Sequence, residues 1–173
     1  MLIAALVFAQ LASPEPVGPK ALRPPEGQVL LVKLQGKGSQ IYVCQSAAEG
    51  DTPAWKLKAP DAKLYSLSGE SVGRHFAGPT WEYSDGSQVV GKMVASQPAP
   101  DKESIPWLLL KAVSHSDKGL FSRVQSIQRL ATKGGVAPDT GCTASNLKEE
   151  TSVPYEATYY FYGERVGGAM NAH

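Results

Sequence analysis

The feature that most restricts the fold of this chain is the repeated interruption of short strand-like segments by glycine and proline. The sequence contains 17 glycines and 13 prolines, two residue types that punctuate strands more often than they occur inside helices. The segments between them are rich in β-branched and aromatic residues and alternate apolar with polar positions. The sequence therefore predicts an all-β protein.

Length and composition limit the classes to which the chain can belong. Its 173 residues fit one domain with a core of its own. The composition is 42% hydrophobic and 19% charged, and the formal net charge is +1. A disordered chain would be less apolar, and a nucleic-acid-binding chain is usually more basic. We predict a single domain without a nucleic-acid partner.

The strand-like segments are short and separated by turns. The sequence predicts a hairpin of strands 29–34 and 40–45 around Gly36-Lys37-Gly38, because glycine supplies the positive φ of tight hairpins. Further strands are predicted over 54–58, 63–67, 88–94 and 155–162, with Ala59-Pro60-Asp61 as an interruption between the first two.

One part of the chain is compatible with two structures. Ser104 and Pro106 suit the start of a helix, yet the apolar run over 105–115 also suits a buried strand. A second run over 121–131 follows Gly119 at hairpin spacing, which favours strands, although its apolar spacing leaves a helix open. With eight or nine strands, the expected fold is a single-domain antiparallel β-sandwich or partly open β-barrel with long loops.

The ends of the chain differ from its centre. The apolar run at the N-terminus has the length of a signal-peptide core and is too short to span a bilayer. The predicted organisation is a signal peptide or its remnant over 1–12, a Pro-rich linker over 13–27, a β domain over 28–163 and a flexible tail over 164–173. We therefore expect a secreted protein, periplasmic or extracellular, without a transmembrane segment.

Two cysteines occur, Cys44 and Cys142. Their separation is unlike the short spacing of zinc or thiol-redox motifs. An isolated pair in an exported protein usually forms a disulfide, so we predict a bond between them. Two buried free thiols are the alternative if the chain is not exported.

Residues 73–87 concentrate the side chains with the most chemistry. Ligand-binding candidates there are His75, Trp81, Glu82, Tyr83 and Asp85. Strand alternation places Trp81, Tyr83 and Asp85 on one side and Glu82 on the other, with His75 joining either set. An aromatic platform beside a carboxylate suits a sugar or another small polar ligand. The alternative is that Trp81 fills the core and His75 is held by neighbouring turns.

Two further candidates, Trp107 and Arg129, are expected near that region. A buried Arg129 needs an anionic or carbonyl partner, and Glu82 or Asp85 is a candidate, although a solvent-facing arginine is more common. The favoured hypothesis is a non-catalytic binding or surface module for a small-molecule or glycan ligand.

Two other functions remain open at the level of sequence. One is an extracellular enzyme that uses His75 with Glu82 or Asp85, with or without a metal. Three histidines and no motif of a known hydrolase class give it little support, and we expect no cofactor and no metal site. The other is a structural, envelope-associated role without a small ligand.

Several short motifs together resemble the family known as domain of unknown function 3455, found in exported proteins of bacteria and fungi. The resemblance extends from about Pro24 to Tyr162. It rests on Ile41-Tyr-x-Cys44, Trp55-x-Leu-x-Ala-Pro60, Gly73-x-His-x-x-Gly-Pro-Thr-Trp81, Asp85-Gly-Ser-x-Val89, Ile105-Pro-Trp-Leu-Leu-Leu110, Ile127-Gln-Arg129, Gly134-Gly135 and Val153-Pro-Tyr155. It implies export and a single domain, and it implies no activity.

Overall fold

A computed structural model describes residues 17–46, 48 and 50–164 of the chain. Its strands are β1 (Gln28–Gln45), β2 (Ala54–Tyr65), β3 (Ser71–Phe76), β4 (Thr80–Tyr83), β5 (Gln88–Gln97), β6 (Trp107–His115), β7 (Val124–Gly134) and β8 (Glu150–Glu164). Short 3-10 turns occupy Lys20–Leu22 and Leu120–Arg123. None of the helical segments in this described part has the length and apolar character needed to cross a membrane.

The strands form one antiparallel sheet in sequential order. β1 pairs with β2 on one side and with β8 on the other, so the sheet closes on itself as a barrel. The prediction of an antiparallel all-β fold is confirmed. The barrel interior holds the main core cluster, which includes Leu34, Trp81, Tyr159 and Phe161.

The predicted hairpin around Gly36-Lys37-Gly38 is wrong, because β1 runs through these residues as one strand of 18 residues. A Cβ on Gly36 would lie 2.5 Å from the Tyr159 ring, and one on Gly38 would lie 2.1 Å from the Asp61 carbonyl oxygen. The two glycines therefore allow close packing inside a strand rather than a chain reversal.

The predicted interruption at Ala59-Pro60-Asp61 is also wrong, because β2 is continuous across it. The β1–β2 register shifts between Ile41 and Tyr42, which marks a bulge. Proline occurs in strands at bulges and edges, where a missing N–H is tolerated. Pro60 lies beside such a bulge, on a part of β2 that pairs only with β1.

The helix-or-strand ambiguity is resolved in favour of strands. Residues 107–115 form β6, and residues 124–134 form β7, which pair with each other. The apolar spacing that left a helix open belongs partly to the 3-10 turn Leu120–Arg123, where Phe121 is buried. The predicted strand over 155–162 is the C-terminal part of the longer β8.

The described part of the Pro-rich segment lies against the outside of the barrel. Leu22 is fully buried in a second cluster with Leu109, Leu130, Tyr160 and Tyr162. The Gln128 amide donates hydrogen bonds to the carbonyl oxygens of Val17 and Leu22, both at 2.8 Å. Residues 17–22 therefore cover an apolar patch on β6, β7 and β8 that would otherwise face water.

Cys44 and Cys142 form a disulfide with a Cα–Cα distance of 5.3 Å, as predicted. The bond joins β1 to the long loop that precedes β8. The Trp55 indole N–H also holds this loop by donating to the Thr140 carbonyl oxygen at 2.8 Å. The predicted signal peptide over 1–12 lies outside the described residues, as do 13–16 of the linker and 165–173 of the tail.

Candidate functional site

Two short strands leave a gap in the barrel wall. β3 and β4 have six and four residues, and their turn lies at residues 77–79. β2 pairs with β3 only through Ala62–Tyr65, and β5 pairs with β4 only through Thr80–Glu82 on the β4 side. Within the described part of the chain, no strand therefore lies between residues 54–61 of β2 and 91–97 of β5. We call this gap the window.

A cavity of about 560 Å³ lies behind the window, within the usual size range of small-ligand sites. The side of the cavity that opens at the window is lined by residues 57–60, 78–79 and 91–93. The interior wall consists of Gln40, His75, Trp81, Leu108, Leu110 and Arg129, and the exposed Val113 borders the window. Most of this lining is apolar, and its polar side chains are few.

His75 and Trp81 face each other across the β3–β4 ladder and point into the barrel. Their rings are stacked, with centroids 4.2 Å apart and planes 7° from parallel. Tyr159 meets both rings edge-on, at 5.4 and 5.6 Å. Trp81 is only 1% exposed, so it forms part of the core and the cavity wall rather than an open platform for a sugar.

His75 is neutral at physiological pH. Burial lowers its pKa to about 3, and the nearby charge of Arg129 contributes in the same direction. Nδ1 lies 2.8 Å from the Thr80 carbonyl oxygen, which can only accept, so Nδ1 carries the proton. Nε2 is therefore a hydrogen-bond acceptor on a side chain that lines the cavity.

Gln40 is a polar wall residue with an unpaired side-chain donor. It is 2% exposed, and its Nε2 is buried with no partner in the described part of the chain. The Trp81 indole N–H also lacks a partner there. Buried polar groups are normally paired. Of the four buried side-chain atoms without a partner in the described part of the chain, two belong to residues that line the cavity, Gln40 and Trp81, and two belong to Gln28 and Trp107 outside it.

Arg129 lies on β7 and lines the cavity. Its Nε and Nη2 donate to the Pro106 carbonyl oxygen at 3.2 and 2.8 Å. Neither Glu82 nor Asp85 is its partner, and no carboxylate of the described residues forms an ion pair with it. Its positive charge opposes the pKa increase that burial causes in Tyr155 and Tyr159.

Glu82 lies on the opposite face of the hairpin from His75. It pairs with Arg74 through two hydrogen bonds of 2.9 and 3.1 Å and accepts a third from Gln88 at 2.5 Å. These bonds, with that of Arg74 the largest influence, lower the pKa of Glu82. It does not line the cavity.

Asp85 organises a turn instead of facing the cavity. Its carboxylate accepts hydrogen bonds from the Ser87 hydroxyl and N–H and from the Leu120 N–H, at 2.5, 2.8 and 2.7 Å. The Ser87 hydroxyl is the largest of the influences that lower its pKa. Asp85 thereby ties the β4–β5 turn to the 3-10 turn before β7.

The two remaining aromatic candidates also lie away from the cavity. Tyr83 packs inside the barrel against Phe121, with ring centroids 5.5 Å apart. Trp107 packs on the outside, against the cluster that contains Leu22. Of the seven predicted ligand-binding residues, the structure brings His75, Trp81 and Arg129 together around one cavity.

Sequence reasoning missed the other wall residues, above all Gln40, Pro60, Gly91 and Met93. Gln40 lies between Ser39 and Ile41, and these neighbours give no sign of which barrel face it occupies. Only the register of β1 and β2, including its bulge, places Gln40 opposite Pro60 at the window. Among the described residues, no group of three or more His, Cys, Asp or Glu side chains is arranged to hold a metal ion.

A family model described as Protein of unknown function (DUF3455) matches residues 24–163. This chain belongs to the DUF3455 family. The match covers all the cavity-lining residues of this DUF3455 domain. No curated protein and no solved structure has a significant match to the chain.

Proposed function

We propose that this protein is an exported binding module that holds a small organic ligand in the cavity behind the window. The proposal is carried by the Gln40 Nε2 donor, which is buried in the cavity wall without a partner among the described residues. Sites for small ligands are concave and mainly apolar, with a few polar groups that fix orientation. This cavity has that composition, with the Gln40 amide, the His75 Nε2 and the Arg129 guanidinium as its polar groups.

The lining favours a largely apolar ligand over an extended glycan. Trp81 is buried and Tyr83 is packed against the core, so neither of these two offers an exposed aromatic face to a sugar ring. The window is flanked instead by the exposed apolar side chains of Leu57, Met93 and Val113. A compact molecule with one polar end fits this arrangement.

The window is poorly suited to a peptide that adds a strand to the sheet. Such a peptide needs free backbone donors and acceptors along an edge. Pro60 has no N–H, and the edges of β2 and β5 carry Lys56, Lys58 and Lys92. Lysine and proline are residues that protect sheet edges from pairing.

A catalytic role that joins His75 to Glu82 has no geometric support, because the two side chains occupy opposite faces of the hairpin. The Cys44–Cys142 disulfide supports export, since structural disulfides persist mainly in oxidising compartments.

Two matched variants test the proposal. Val113 and Val94 are 51% and 53% exposed, and only Val113 lines the cavity. Val113→Trp should fill the window and abolish binding of the uncharged fluorescent probe N-phenylnaphthylamine, whereas Val94→Trp should leave binding unchanged. Equal binding by both variants, or no binding by the unmodified protein to this probe or to any member of a small-molecule thermal-shift panel, would overturn it.

A further inference from the structure

The charges around the cavity are all of one sign. Its lining contains Lys58, Lys92 and Arg129 and no aspartate or glutamate. Lys58 is neutralised by its ion pair with Glu150. Lys92 is exposed on β5, beside the window, and its charge is screened by water.

Arg129 is different because it reaches the barrel interior. Its charge influences the pKa values of four groups, Tyr42, His75, Tyr155 and Tyr159. Its guanidinium donates two hydrogen bonds to the Pro106 carbonyl oxygen and also hydrogen-bonds the Tyr159 side chain. None of these partners is an anion, and charges removed from water are normally paired with an opposite charge.

Nearby hydrogen-bond donors point to the same kind of ligand group. The Gln40 amide has unused donors in the wall, and a half-turn of its side-chain amide exchanges its oxygen and nitrogen. Guanidinium and amide donors together match the two oxygens of a carboxylate. The rest of the wall, including Leu108, Leu110 and Met93, is apolar.

We propose that the ligand is an amphipathic organic anion whose carboxylate binds Arg129 and Gln40 and whose apolar body lies against Leu108, Leu110 and Met93. This inference rests on the proposed function and specifies its ligand class. The anion then enters through the window beside Lys92, whose positive charge attracts its carboxylate.

The test compares two competitors of equal chain length at neutral pH. Octanoate and octanol are titrated against N-phenylnaphthylamine bound to the protein. Octanoate should displace the probe at about tenfold lower concentration than octanol, which corresponds to about 1.4 kcal/mol. If the probe binds and the two competitors are equally effective, the anion inference fails while the binding function stands. If the probe and both competitors fail to bind, the proposed function fails.

Single-residue variants test whether Arg129 causes the preference for octanoate over octanol. Arg129→Met should remove the advantage of octanoate, so that octanoate and octanol displace the probe at about equal concentrations. Lys111→Met is the matched control, because Lys111 is exposed, pairs with Lys92 across β5 and β6 and does not line the cavity. A preference that survives Arg129→Met but disappears in Lys92→Met would overturn the role of Arg129. If Arg129→Met does not fold, Arg129→Lys decides, and octanoate should still displace the probe from it at a lower concentration than octanol. Equal concentrations in Arg129→Lys would overturn the role of the charge at this position.

Discussion

The two sides of the barrel are built differently. On the closed side, β1 and β8 have 18 and 15 residues and are paired over almost their whole lengths. On the open side, β3 and β4 have six and four residues and stop short of their neighbours. The closed side buries Tyr159 and Phe161 completely, whereas the open side exposes Leu57, Met93 and Val113. The comparison indicates that one side supplies stability and the other supplies access to the interior.

Trp81 links the two sides. It packs edge-on against Tyr159 and Phe161 of β8, at 5.6 and 6.1 Å. It also carries the stacked His75 ring and lines the cavity. The floor of the cavity is therefore continuous with the aromatic core to which β8 contributes Tyr159 and Phe161.

The largest expected difference between the sides is in packing energy. Phe161→Ala should lower the free energy of unfolding by about 3–5 kcal/mol, because it leaves a void in the aromatic core. Leu57→Ala on the open side should change it by about 0.5 kcal/mol or less, because this side chain is already exposed. Urea unfolding of the two variants measures both values. Equal losses would contradict the assignment of stability to the closed side.

The disulfide should stabilise the fold without contributing to the cavity. Replacing both Cys44 and Cys142 by alanine should cost about 2–5 kcal/mol, since the bond closes a loop of 98 residues. Neither cysteine lines the cavity, so probe binding to the folded variant should persist. Dithiothreitol added to the unmodified protein provides the matched control. Loss of binding in a fully folded variant would show that the loop shapes the site.

Acid should destabilise the fold through His75 in the floor of the cavity. Its pKa is about 3 in the folded protein and 6.5 in the unfolded chain, so the unfolded chain binds the proton first as pH falls. The stability is fully present above about pH 6.5 and is lost progressively towards pH 3. Between about pH 7 and pH 5 the free energy of unfolding should fall by about 2 kcal/mol.

His75→Asn separates this effect from that of the carboxylates. Its amide can donate to the Thr80 carbonyl oxygen but does not titrate. The pH dependence between about pH 7 and pH 5 should therefore disappear in this variant. An equally steep profile in the variant would mean that another group controls acid stability.

The smallest effect on stability and binding is expected for a substitution on the outer face of the β3–β4 hairpin. Glu82→Gln removes the ion pair with Arg74, which is largely solvated, and surface ion pairs contribute little to stability. Thermal unfolding and probe binding should both stay close to those of the unmodified protein. A large loss of binding would place Glu82 in the site and contradict the separation of the two faces.

The sequence predicted the strand content and the disulfide, because alternation and cysteine number can be read without knowing the contacts between strands. It failed at Gly36, Gly38 and Pro60, where the choice of residue depends on close contacts with another strand. The same dependence on contacts between strands limited the prediction of the site. His75 and Trp81 stood out by residue type, but the face on which Glu82 lies and the importance of Gln40 depend on register.

Ligand binding behind the window is tested most directly by amide chemical shifts, measured by two-dimensional NMR during an octanoate titration. We expect saturable shifts at Gly78, Gly91 and Met93, which border the window, and little change at Glu82 and Ser87, which do not line the cavity. Shifts confined to the outer face, or none at saturating octanoate, would contradict it.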